Sequence, residues 1–110
     1  MKGRKKGGQT MAAKRNRKRT PQICIVTVTG RDRVGIIARI ANVMADANVN
    51  IIDVSQRIMA DCFVMMMGCD VSGSRVEMAE MHRRLDRVAK EMSLNITFQN
   101  ETIFKMMHRI

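Results

Sequence analysis

The segment Gly30-Arg31-Asp32-Arg33-Val34-Gly35 combines residue types and spacing into recognisable chemistry. It follows a β-branched run and opens a helical pattern, which places Asp32 as an N-cap for the free N–H groups of a first helical turn. Gly35, inside that turn, lets another backbone or a ligand approach closely. Exposed N–H groups and the helix dipole favour an anion, so the turn suits the carboxylate end of an amino acid. The plainer alternative is that Asp32 only caps the helix and Gly35 only permits close packing.

Other reactive residue types are less organised. Cys24, Cys62 and Cys69 are odd in number and contain no CxxC pair. They read as buried, reduced thiols of a cytoplasmic protein. His82 and His108 lack metal-site spacing, and no metal or cofactor is expected. No nucleophile–base pairing or phosphate-binding glycine loop is recognisable, so the chain is expected not to be an enzyme.

The elements that position the turn are legible from periodicity. Residues 23–29 (ICIVTVT) alternate and form a first strand that Gly30 ends. Ile37, Ile40, Ala41 and Met44 recur at helical spacing, giving a first helix over about 33–47. Asn48-Val49-Asn50 makes a turn, and 51–59 is a second strand with Asp53, Ser55 and Arg57 on one face and Ile52, Val54, Gln56 and Ile58 on the other. Its mixed polarity suits a sheet edge.

After a reversal at Ala60-Asp61, residues 62–71 (CFVMMMGCDV) form a third strand that is apolar on both faces. The face turned away from the helices is therefore expected to be covered as well, most simply by another subunit. Ser74 and Glu77 have capping-box spacing ahead of a second helix over about 75–93, with Met78, Met81, Leu85, Val88 and Met92 on its apolar side. Residues 95–103 alternate as a fourth strand, and 104–110 is a short apolar and basic tail. The order βαββαβ has an economical α+β solution, the ferredoxin-like sandwich: a four-stranded antiparallel sheet with two helices on one face.

Charge divides the chain in two. Of 20 Lys+Arg in 110 residues, nine lie within the first twenty positions, where there is no acidic residue. Eleven basic and ten acidic residues remain from Thr20 onward, a body of charge +1. Residues 1–22 are expected to be a disordered basic tail, because they offer little apolar surface to offset the cost of ordering. Any nucleic-acid contact is expected through this tail alone, without base reading. Met11 is a second plausible start position. The longest apolar run is far short of the ~20 residues that span a bilayer, and no membrane association is expected.

Two occupants of this topology differ in chemistry. An RNA-recognition motif stacks bases on strand aromatics, yet strand one has none and strand three only Phe63. Gly30-Arg31-Asp32-Arg33-Val34-Gly35-Ile36-Ile37 instead resembles the ACT-domain signature, Gly-x-Asp-Arg-x-Gly followed by two apolar residues. Ala47-Asn48-Val49-Asn50-Ile51 resembles the family's helix-to-strand junction. The likeness covers 23–110 and is nearest to the small free-standing members of UPF0237 type, including Ile51-Ile-Asp-Val-Ser-Gln56 and the closing Ile103-Phe-Lys-Met-Met-His-Arg-Ile110. Val34 stands where many members carry Pro.

The resemblance implies a non-enzymatic regulatory domain, a homodimer or higher oligomer that senses an amino acid to regulate metabolism or transcription. In ligand-binding members two domains join through strand two and helix one, with the amino acid between the first loop and the partner's strand two. Carried over, this nominates Asp32, Arg33, Val34, Gly35 and Ile36, with Asn48 and Asn50 nearby. A purely structural dimerisation module is the other outcome.

Overall fold

A computed structural model describes residues 20–108. The elements follow in the order β1 (Ile23–Arg31), α1 (Ile36–Asp46), β2 (Asn50–Met59), β3 (Cys62–Asp70), α2 (Met78–Met92), β4 (Leu94–Asn100) and α3 (Glu101–Met107). One sheet runs β2-β3-β1-β4, and every adjacent pair is antiparallel. The expected edge position of β2 is observed, and the fold is the ferredoxin-like sandwich.

Alternation decides which side of the sheet is dry. Cys24, Val26 and Val28 of β1 and Phe63, Met65, Met67 and Cys69 of β3 are buried, whereas the intervening residues are not. Against this face lie two amphipathic stripes, Ile36, Ile40 and Met44 on α1 and Met81, Leu85, Val88 and Met92 on α2. Leu94 and Phe98 of β4 complete the single core. Removing these side chains from water drives the fold, at about 1.5–3 kcal/mol for each large one. Met suits the irregular space between twisted sheet and helices because its thioether chain bends to fit.

Several boundaries differ from those read in the sequence. β1 continues through Gly30, which pairs with both Phe63 and Leu94. A Cβ there would lie 2.7 Å from Leu94 Cδ2, so glycine makes room for that leucine. The first helix begins at Ile36, not 33, and Asp32 does not cap it: the N-cap is Gly35, with φ +94° and no capping side chain. The Ser74–Glu77 capping box does not form either. Ser74 Oγ accepts from Val76 N–H at 3.2 Å and lies 2.7 Å from Val76 O, a local turn that holds the chain out of the helix until Met78.

β4 stops at Asn100, because that side chain turns to cap α3: its Oδ1 accepts from Ile103 N–H at 2.8 Å. The expected strand end and tail thus become a helix resting against β1 and β4. In β2 a bulge at Ile52 resets the alternation, so Ile51 faces Cys69 on the buried side and Asp53 faces Gly68 on the open side. Cys62, expected to be buried, is exposed at the β2–β3 hairpin.

At the amino-terminal boundary Gln22 is already engaged, its carbonyl accepting from Val71 N–H at 2.8 Å and its N–H donating to Asp70 Oδ1 at 3.2 Å. The expectation of a disordered tail falls, for 1–19, outside the described residues. Among those described, no helix is long and apolar enough to cross a membrane.

Candidate ligand site at the ends of the sheet

The β1–α1 turn is held from three sides. Asp32 N–H donates to Asp61 O at 3.0 Å, which ties the turn to the β2–β3 hairpin. The Arg33 guanidinium donates to Met92 O at 3.0 Å, at the carbonyl end of α2 where the helix dipole favours a cation. Ile36 is fully buried and anchors the start of α1.

Between these fixed points Val34 is 100% exposed. Gly35 takes φ +94°, a left-handed value that favours glycine, and its carbonyl accepts Arg39 N–H at 3.0 Å to close the first helical turn. No atom lies within 4 Å of where a Gly35 Cβ would sit. The glycine is therefore required by backbone conformation rather than by close packing within the chain. Gly35 gives α1 no side-chain cap, and N–H groups in the first turn of a helix have no acceptor within the helix, an arrangement that attracts an anion.

Asn48 and Asn50 belong to the other end of the molecule. Asn48 has φ 62° and closes α1, its Nδ2 donating to Gly73 O at 2.8 Å. Asn50 opens β2 opposite Asp70 and is exposed. Because β1 and β2 both run antiparallel to β3, they point the same way. Asp32 to Ile36 follow the end of β1, and Asn48 and Asn50 precede the start of β2. The eight residue steps from Ile23 to Arg31 separate the two groups by roughly 26 Å. A single chain brings together Asp32, Arg33, Val34, Gly35 and Ile36 but not the two asparagines.

Two other features were not singled out in the sequence as sites. A groove between α1 and α2 is lined by Arg39, Asn42, Asp46, Glu80, Arg84 and Arg87. Its charges are largely matched: Arg39 bonds Glu91, and hydrogen bonds from Arg84 and Arg83 hold the Glu80 carboxyl below its ordinary range. At the start of β1, Cys24 borders a small apolar hollow with Met78, His82 and Phe98. Burial raises the Cys24 thiol pKa, and burial followed by the opposed Cys24 pushes Cys69 up to about 12. Both thiols are protonated and weakly nucleophilic near neutrality. The turn offers hydrogen-bond donors and shape, which is binding chemistry.

Comparison with known proteins agrees with this geometry. The family pattern described as ACT domain matches residues 22–99. A UPF0237 protein of Methanocaldococcus jannaschii is 43% identical over 86 residues, covering 78% of this chain and 96% of its own. A UPF0237 protein of Listeria innocua is also 43% identical over 86 residues, covering 78% and 97%. Among solved structures, an ACT domain protein from Streptococcus pneumoniae superposes with TM-score 0.67 at 26% identity, covering 78% of this chain and 97% of that one. With the turn, the strand order and these relatives in agreement, the chain belongs to the ACT domain family.

Proposed function

We propose that this chain is a non-enzymatic regulatory protein that pairs through its β2 edges and binds a small ligand such as an amino acid, to regulate metabolism or transcription. The observation that carries the reading is the separation of the nominated residues. Antiparallel pairing of β2 with a second copy sets the start of one β2 beside the end of the other. That brings Asn48 and Asn50 of one chain toward the 32–36 turn of its partner, so two half-sites become two whole ones.

The uncapped α1 terminus supplies donors for a carboxylate, and Val34 supplies an apolar wall. The unpaired β2 edge carries exposed Ile52, Val54 and Ile58, which edge pairing would remove from water. Three free cysteines suit a reducing cytoplasm.

A thermal-shift panel of the twenty amino acids, at concentrations far above any plausible Kd, tests the ligand. At least one raises the melting temperature by mass action. A flat panel retires the sensor reading and leaves a structural dimerisation module. Sedimentation showing only monomer at micromolar concentration refutes the pairing.

The nine basic residues among the first twenty support a second reading, an electrostatic arm for nucleic acid. Duplex DNA or RNA affinity that is salt-dependent and lost when the chain starts at Pro21 would establish it; affinity that survives the truncation excludes it.

A further inference from the structure

The sheet face opposite the helices has a pattern that maps onto itself. Strand register arranges it in rows across β2, β3, β1 and β4. The middle row is Ser55, Met66, Thr27 and Thr97. On one side lies the row Asp53, Gly68, Ile25 and Gln99, and on the other Arg57, Val64, Thr29 and Asn95.

No charge occurs in these three rows except at the β2 rim, and the centre shows Met66 at 43% and Val64 at 36% exposure. An uncharged middle with a charged rim is how protein–protein interfaces are built.

A two-fold axis lying along the middle row turns each outer row onto the other. Asp53 then meets Arg57 of the second copy, Val64 enters the space that Gly68 leaves without a side chain, Ile25 meets Thr29, and Gln99 meets Asn95. Every position on the axis meets its own counterpart, and none of those is charged. We infer that this open face is a second self-association surface, on which two copies of the chain pack sheet to sheet with their strands running in opposite directions.

Size sets its role. Four strand spacings by about seven residues give a flat footprint of roughly 450 Å², about half of the ~800 Å² per partner in a standard interface. Such a contact is weak alone and effective when a second interface holds the chains together. Ser55, on the axis, is also near the midpoint of β2 (Asn50–Met59), so edge pairing and face packing can share one centre and close into a tetramer with dihedral symmetry. α3 borders the face at its Gln99 corner, where Gln99 Nε2 lies 3.2 Å from Met107 Sδ.

Axis positions give a direct test. In a Cys62→Ser background, which removes the one exposed thiol, full-length Met66→Cys and Thr97→Cys are each treated with a bis-maleimide that spans about 8 Å, enough to link side chains of sheets ~10 Å apart. Both are expected to yield covalent dimers at about 50 µM, where a weak contact of this kind is partly formed. Pairing through β2 alone separates the two Thr97 positions by seven strand spacings, ~34 Å, and the two Met66 positions by three, ~14 Å, so it links neither.

Linking at Thr97 without Met66 assigns the contact to β4 edges and overturns the proposal, as does linking at neither. Thr97→Arg, which sets like charges against each other on the axis, is expected to cut the Met66→Cys yield several-fold. An unchanged yield also overturns the proposal. The amino-acid thermal shift is independent of every one of these outcomes.

Discussion

The main-chain N–H of Asp32 donates to the carbonyl of Asp61 at 3.0 Å, fastening the β1–α1 turn to the tip of the β2–β3 hairpin. The two residues are 29 positions apart in sequence. Whatever displaces the turn is thereby felt at the end of the edge strand. The geometry of that tip, of the turn it holds and of the cysteines leads to four measurable expectations.

The hairpin tip is strained. Ala60 at φ 49° and Asp61 at φ 71° are both left-handed, the pattern of a type I′ turn, which favours Asn and Gly. Ala60→Asn is expected to stabilise the fold by ~0.5–1 kcal/mol, raising Tm by a few degrees, because asparagine tolerates this conformation. Ala60→Val should destabilise by about 1 kcal/mol, because alanine already carries the Cβ clash of the left-handed region and branching at Cβ adds to it. Urea unfolding checks both, and equal midpoints for the three proteins would show the turn to be unstrained.

Gly35→Ala is expected to cost about 1 kcal/mol through backbone conformation alone, since its methyl group meets nothing within 4 Å. Gly35→Asn should cost less. If the alanine and asparagine variants prove equally destabilised, a steric explanation replaces the conformational one.

Arg33→Ala removes the guanidinium from the Met92 carbonyl and is expected to lower stability by about 1 kcal/mol, with Arg33→Lys intermediate. Amide exchange at the end of α2 should accelerate in the alanine variant. No change in either observable would mean that the contact contributes nothing in solution.

Thiol titration should divide the cysteines. Cys62 is exposed and is expected to react at once with a disulfide reagent in the native protein, whereas Cys24 and Cys69 wait for unfolding. Cys69 sits at about 12 in the fold, above its ordinary 9.0. Below pH 9 both states hold the proton and the stability is fully present; from pH 9 toward 12 the unfolded chain alone releases it, so stability falls. Cys69→Ala should flatten that decline, and three thiols of equal native reactivity would contradict the buried placement.

Element order, sheet topology and the helix-facing core were legible because burial imposes period 2 on β1 and β3 and period 3.6 on α1 and α2. Local polar competition was not. Asp32 and Ser74 both look like caps, yet Asp32 gives way to the left-handed Gly35, and Ser74 bonds to Val76 instead. α3 was hidden inside an alternating stretch, although Asn100 followed by the Glu101–Lys105 pair is a start signal with i,i+4 support. The bulge at Ile52 leaves no mark in composition. The 32–36 segment was legible as a turn, but the opposite-end placement of Asn48 and Asn50 follows only from strand order.

Thioethers run through the interior and over the surface alike: Met44, Met65, Met67, Met81 and Met92 are buried, while Met59, Met66, Met106 and Met107 face solvent. With no Trp or Tyr in the chain, opening of the core gives almost no ultraviolet signal, but it leaves a chemical one. Peroxide converts the outer methionines to sulfoxides first and reaches the inner ones only when their segment opens. The order in which sulfoxides accumulate is thus a written history of which parts of the molecule have breathed. A sulfoxide formed inside is polar and no longer fits, so each such event also fixes the opening that allowed it.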